Sequence, residues 1–86
     1  MLVRLLARLE ERSGLVTLAQ LERAAAGRRT RSLPPEAVAS LLDAAVSDML
    51  ILTDRRLFLD RASGALVPTS VYRVNRRHQE AREALT

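Results

Sequence analysis

Apolar positions recur along this chain in two rhythms, and the switch between them locates the centre of the fold. From Leu33 to Leu52 the sequence reads LPPEAVASLLDAAVSDMLIL, with Val38, Leu41, Leu42, Ala45 and Met49 at i, i+3, i+4, i+7 and i+11. That is the spacing of one continuous helix face. Pro34 and Pro35 stand at its start, where a backbone N–H lacks a helical partner in any case. Leu33 and Val38 are spaced to pack as a hydrophobic staple, and Glu36 sits near the positive end of the helix dipole. The pattern predicts a buried helix from about Pro35 to Met49. Leu50-Ile51-Leu52-Thr53 then reads as strand.

The flanking elements follow from the same reasoning. Leu2, Leu5, Leu6 and Leu9 predict a first helix over Leu2–Ser13, with Arg4, Arg8, Glu11 and Arg12 mostly outside and Arg8 spaced to pair with Glu11. Gly14 suits the end of that helix. Leu15-Val16 allows one or two residues of strand. Thr17 can cap a second helix to about Ala26, with Leu18, Leu21, Ala24 and Ala25 inward and Gly27 as its end. Arg28-Arg29-Thr30-Arg31-Ser32 has no apolar residue and reads as an exposed loop.

Leu50–Val74 reads as a β-hairpin, with strands over about Leu50–Leu59 and Leu66–Val74. Arg61-Ala62-Ser63-Gly64 makes the turn, with Gly64 at positive φ. Asp54-Arg55-Arg56 interrupts the first strand and suggests a bulge. Pro68 cannot donate to a ladder, so the return strand should lie at an edge near its start. Alternation puts Arg73 outside, between Tyr72 and Val74. Asn75 can cap a last helix over Arg76–Leu85, whose thin apolar side of His78, Ala81 and Leu85 needs a partner surface.

Composition adds limits. With 86 residues the chain suits one domain over 1–86. No run of eighteen apolar residues is present, so no membrane-spanning helix is expected. MLVRLLARLEER is too charged for a secretory signal. Cysteine is absent, which excludes disulfides and thiolate metal sites, and a cytoplasmic location is the default expectation. The net charge is +4, and all fourteen basic side chains are arginine. A GC-rich coding sequence or adaptation to heat explains that bias. So does phosphate contact, because guanidinium pairs with phosphate in a fixed fork.

Chemistry-bearing constellations are missing from the sequence. His78 is the only histidine and lies among Arg76, Arg77 and Gln79, so it reads as a surface or half-buried helix residue. Asp43, Ser47 and Asp48 are explained by the polarity of a helix surface. Gly14, Gly27 and Gly64 are isolated and form no phosphate-cradling loop. Phe58 and Tyr72 are too few for a base-stacking platform. The domain is therefore expected not to be an enzyme, and to need no cofactor, metal or small-molecule substrate.

The predicted order is α+β: helix, short strand, helix, helix, hairpin, helix. With Leu15-Val16 before the second helix, then EAVASLLDAAVSDMLIL, then RRLFLDRASGALVPTSVYRV ending in Tyr72-Arg73-Val74, the chain resembles the winged-helix branch of the helix-turn-helix class. The resemblance implies a three-helix core, a β-hairpin wing and a C-terminal helix. It also implies nucleic-acid binding, DNA first among targets, in roles such as transcription regulation. The third helix would lie in the major groove and the wing against backbone or minor groove.

The charges depart from that pattern. The outward face of the third helix offers Glu36, Ser40, Asp43, Ala44 and Ser47, and Ser32–Asp54 holds four acids and no arginine. A groove-reading helix normally carries Arg, Lys, Asn or Gln toward base edges. The rest of the chain has fourteen arginines against six acids. Its arginines group at Arg28/Arg29/Arg31, Arg55/Arg56/Arg61 and Arg73/Arg76/Arg77. The residues expected to contact nucleic acid are Arg28, Arg29, Arg31, Arg55, Arg56, Arg61 and Arg73, through phosphates, with Ser40 and Ser47 as weak base contacts. The alternative expectation is a protein-interaction winged helix. It would act in a homodimer, or as an accessory module for a larger partner such as a helicase.

Overall fold

The leucine stripe at the start of the chain winds as α1, Leu2–Ser13, in the computed structural model, which describes residues 2–27 and 32–86. Leu2, Val3 and Leu6 are buried, and Leu5 and Leu9 pack half-buried against the core. Gly14 ends the helix at φ +77. A two-residue strand, β1, spans Val16–Thr17, one residue later than expected. Thr17 caps α2, Leu18–Ala26. Gln20 N–H donates to the Thr17 hydroxyl, and the Gln20 side-chain oxygen accepts from Thr17 N–H at 2.8 Å, a reciprocal capping box. Leu21 and Ala25 face the core. The loop expected to carry Arg28, Arg29 and Arg31 lies outside the described residues; Ser32 beside it is exposed.

The central helix, α3, spans Pro35–Ser47 and buries Val38, Leu42 and Ala45. Leu33 packs half-buried against the same cluster, as a staple would. Two members of the expected stripe are corrected: Leu41 is 48% exposed and Met49 56%. The helix stops before Met49, which takes φ +64. Met49 N–H donates to Val46 C=O at 3.1 Å, and Leu50 N–H donates to Ala45 C=O at 2.9 Å. This pair of bonds is the Schellman termination, here with methionine where glycine is usual. Leu41 lies on the flank of the buried face and stays open to solvent.

The chain then runs into β2, Ile51–Leu59, and returns as β3, Leu66–Val74. The three strands form an antiparallel sheet in the order β1-β3-β2. The ladder is continuous from Ile51↔Val74 to Leu59↔Leu66, so Asp54-Arg55-Arg56 makes no bulge. Past Thr53 nearly every β2 side chain meets solvent, so polar residues there cause no burial conflict. Asn75 N–H donates to Leu50 C=O at one end of the hairpin, and Asp60 N–H to Ala65 C=O at the other. Antiparallel pairs alternate between bonded and non-bonded. Counting inward from those two bonds puts Leu57↔Pro68 at a non-bonded position. The missing Pro68 N–H thus falls on the open side of β3, where β1 reaches only Val71 and Tyr72. Gly64 closes the turn at φ +72, and Asp60 organises it by accepting from Ala62 N–H and Ser63 Oγ.

The last helix, α4, is shorter than expected, Gln79–Ala84, and is capped by His78 Nδ1 rather than by Asn75. Asn75 instead closes the turn before the helix: its Oδ1 accepts from Arg77 N–H at 3.2 Å, while its Nδ2 donates to Met49 C=O at 2.8 Å and fixes the base of the hairpin. Ala81 is fully buried. Arg4 reaches across from α1 to the last carbonyls, donating to Ala84 O at 2.8 Å and Thr86 O at 2.9 Å. Glu10 joins α1 to the sheet: one carboxylate oxygen accepts from Val74 N–H, the other from Arg76 Nη1 at 2.9 Å. Among the described residues the ion pairs are Arg76–Glu10 and Arg56–Asp54; the expected Arg8–Glu11 pair does not form. No helix among the described residues is long and apolar enough to cross a membrane.

Candidate nucleic-acid interface

On α3 the buried Val38, Leu42 and Ala45 turn the opposite side outward. Glu36, Ser40, Asp43, Ala44 and Ser47 are all exposed there. Ser40 and Ser47 lie two turns apart on this side, about 10 Å along the axis. The hydroxyls can donate and accept, but α3 carries no basic residue and Asp48 adds a carboxylate at its end. Such a surface repels phosphates on either wall of a groove.

The arginines are distributed by strand parity. Cross-strand partners point to the same face of a sheet. Ile51 and Val74 are a buried pair, so the face they share is the core side. Arg55, opposite Ser70, belongs to that side. Arg56, opposite Thr69, and Arg73, opposite Leu52, belong to the outer side. Arg55 and Arg56 are neighbours in sequence yet sit on opposite faces, and Arg61 is exposed in the hairpin turn. The expected cluster of Arg55, Arg56 and Arg61 is therefore split.

A different grouping replaces it. One open depression on the outer face is lined by Gly14, Leu15, Leu52, Asp54, Arg56 and Arg73 among others. The next shares Leu52 and Arg73 and adds Asn75, Arg76 and Arg77. A third, lined by Arg4, Arg8, Glu11 and Leu85, shares Arg76 with the second. Arg56, Arg73, Arg77, Arg76 and Arg8 thus follow one another along a strip that includes no α3 residue.

Their partners decide which are available to a ligand. Arg76 is engaged by Glu10 at 2.9 Å. Arg56 sits 3.6 Å from Asp54, with both side chains mostly exposed, a weak pair that an incoming anion can replace. Arg73 and Arg77 are exposed and in no ion pair among the described residues. Arg77 is held at the backbone, where its N–H donates to Asn75 Oδ1 at 3.2 Å. Arg77 and Arg8 were not among the expected contact residues. Residue alternation alone could have separated Arg55 from Arg56, but Arg8 joins the strip only through packing of α1 beside Arg76. Among the described residues no group of three or more histidine or carboxylate side chains is gathered to hold a metal ion. No protein-family model, curated protein or solved structure matches the chain.

Proposed function

We propose that the chain is a winged-helix domain that binds nucleic acid, duplex DNA first, by its phosphates, and that the arginine strip on the outer sheet face makes the contact. The order of helices and strands and the long β2–β3 hairpin support the winged-helix assignment. The observation that carries the binding mode is the run of Arg56, Arg73 and Arg77 along two adjoining depressions, while the charged and polar side chains that α3 exposes are acids and hydroxyls with no basic residue among them. Guanidinium groups on an open face fit phosphate oxygens and read no base edges. Binding of this kind is electrostatic and weakly selective. If about four to six phosphates are neutralised, the log–log salt slope on duplex DNA is roughly −4 to −5.

Fluorescence anisotropy with two unrelated duplexes tests this. Arg73→Glu with Arg77→Glu should remove most binding at low salt and flatten the slope, whereas Ser40→Ala with Ser47→Ala should change little and equally for both duplexes. Tight, sequence-selective binding lost on Ser40→Ala or Ser47→Ala would put α3 in the groove and overturn the proposal. So would the absence of binding at low salt.

A further inference from the structure

The outer half of the hairpin is apolar on both faces and reaches beyond the core. Leu57, Leu59 and Leu66 share the core-side face with Pro68 and are 64%, 61% and 62% exposed. Phe58, half-buried, and Val67, exposed, share the other face. Contiguous exposed apolar surface of this kind marks an interaction site. The two edges of the hairpin are not equivalent. Pro68 guards the open side of β3, since it offers no donor there. The outer edge of β2 has no proline and no bulge over nine residues. By the alternation derived above, the N–H and C=O groups of Arg55, Leu57 and Leu59 point outward from that edge. Proteins usually blunt such an edge because it is a template for a further strand.

We propose that this edge of β2 pairs antiparallel with the same edge of a second copy of the chain, about a two-fold axis at Phe58. The side-chain order favours a second copy over an unrelated strand, because it is self-complementary in one register. With Phe58 facing Phe58, Leu57 faces Leu59 of the other copy, and Arg56 faces Asp60, each twice by symmetry. Leu57 and Leu59 are then the hydrogen-bonded pair, as their outward-pointing backbone groups require. Arg55 falls opposite Arg61, where the chain has already entered its turn. Shifting one step back, to centre on Leu57, sets Asp54 against Asp60; a further step sets Arg56 against Arg56. Both place like charges together, which is unfavourable across strands. The proposal is independent of nucleic-acid binding, and no nucleic acid enters its test.

The chain lacks cysteine, so a single introduced thiol reports the register. At a non-bonded antiparallel pair the Cα atoms lie about 4.5 Å apart, within disulfide range. Phe58→Cys should therefore give a covalent dimer rapidly with oxidised glutathione as the oxidant. Thr53→Cys, exposed on the same strand, should not, because its two copies would be about 30 Å apart. Sedimentation velocity of the unaltered chain over micromolar concentrations should show a monomer–dimer equilibrium. Leu57→Lys, changing an exposed side chain on the edge, should shift that equilibrium to higher concentration. A chain that stays monomeric throughout overturns the proposal, whatever else the hairpin binds. So does a dimer in which Phe58→Cys crosslinks no faster than Thr53→Cys.

Discussion

Replacing Glu10 with alanine should destabilise the fold by about 1.5–3 kcal/mol, most of it through one backbone N–H. Val74 stands opposite Ile51 at a non-bonded position, so its N–H points away from β2. On that side β1 begins only at Val16, and no strand residue is there to accept it. The Glu10 carboxylate takes the place of the missing strand. Val74 is buried, and a buried donor stripped of its partner costs about 1–3 kcal/mol. The other oxygen pairs with Arg76, whose side chain is 52% exposed. A pair that open to solvent adds about 0.2–1 kcal/mol. Three variants separate the two effects in urea melts. Glu10→Ala should lose most, Glu10→Gln less because its amide oxygen can still accept from Val74, and Arg76→Ala least. If Arg76→Ala cost as much as Glu10→Ala, the ion pair and not the N–H would be what joins α1 to the sheet.

Leu42 is buried mid-way along α3, and Leu42→Ala should cost about 2–5 kcal/mol in denaturant melts; a loss below about 0.5 kcal/mol would mean the wrong face is taken as buried. Met49→Gly should stabilise by about 0.5–1 kcal/mol, because it relieves a left-handed conformation at a largely exposed side chain, less the added freedom of the unfolded chain. Gly64→Ala should cost about 1–2 kcal/mol, all of it backbone strain, since an added Cβ would meet no atom within 4 Å. Thermal melts of both are the check, and a neutral Gly64→Ala would remove the strain argument.

The elements bounded by a stripe of leucines and a glycine were legible in the sequence. Leu2–Ser13 ends at Gly14, α2 is bracketed by Thr17 and Gly27, and the hairpin turn has Gly64 where positive φ is needed. The errors fall where tertiary contacts use a residue the local pattern assigns differently. Met49 continues the helical spacing, but the helix is ended by a left-handed turn with no glycine to announce it. Asn75 does accept from Arg77 N–H through its side chain, as a cap would, but that bond closes only a turn; the helix starts later and His78 caps it. Asp54-Arg55-Arg56 reads as a broken strand only if both faces of the hairpin are assumed to need burial; here the hairpin extends past the core. The candidate site was legible as charge and only in part as geometry. Of the arginine groups that sequence proximity suggests, Arg73, Arg76 and Arg77 do line one depression, whereas strand parity parts Arg55 from Arg56. Glu10 carries no local signal, because its role depends on where β1 stops.

The two proposals become linked through symmetry. In an antiparallel strand pair within one sheet, the two-fold axis is perpendicular to the sheet, so the outer faces of both copies lie on the same side. Pairing at Phe58 would extend the three-stranded sheet into six strands and place Arg56, Arg73 and Arg77 of each copy on one surface. Each copy would then add its own phosphate contacts to a single duplex. The salt slope of the dimer should approach about twice the value of the Leu57→Lys variant, since each neutralised phosphate contributes about 0.9 to it. Binding should also weaken on dilution through the monomer–dimer transition, as linkage requires of any ligand that prefers the dimer. The acidic outward face of α3 then raises no conflict with nucleic-acid binding. It would be unfavourable inside a groove, but the arginine strip includes no α3 residue, and the proposed contact would need none.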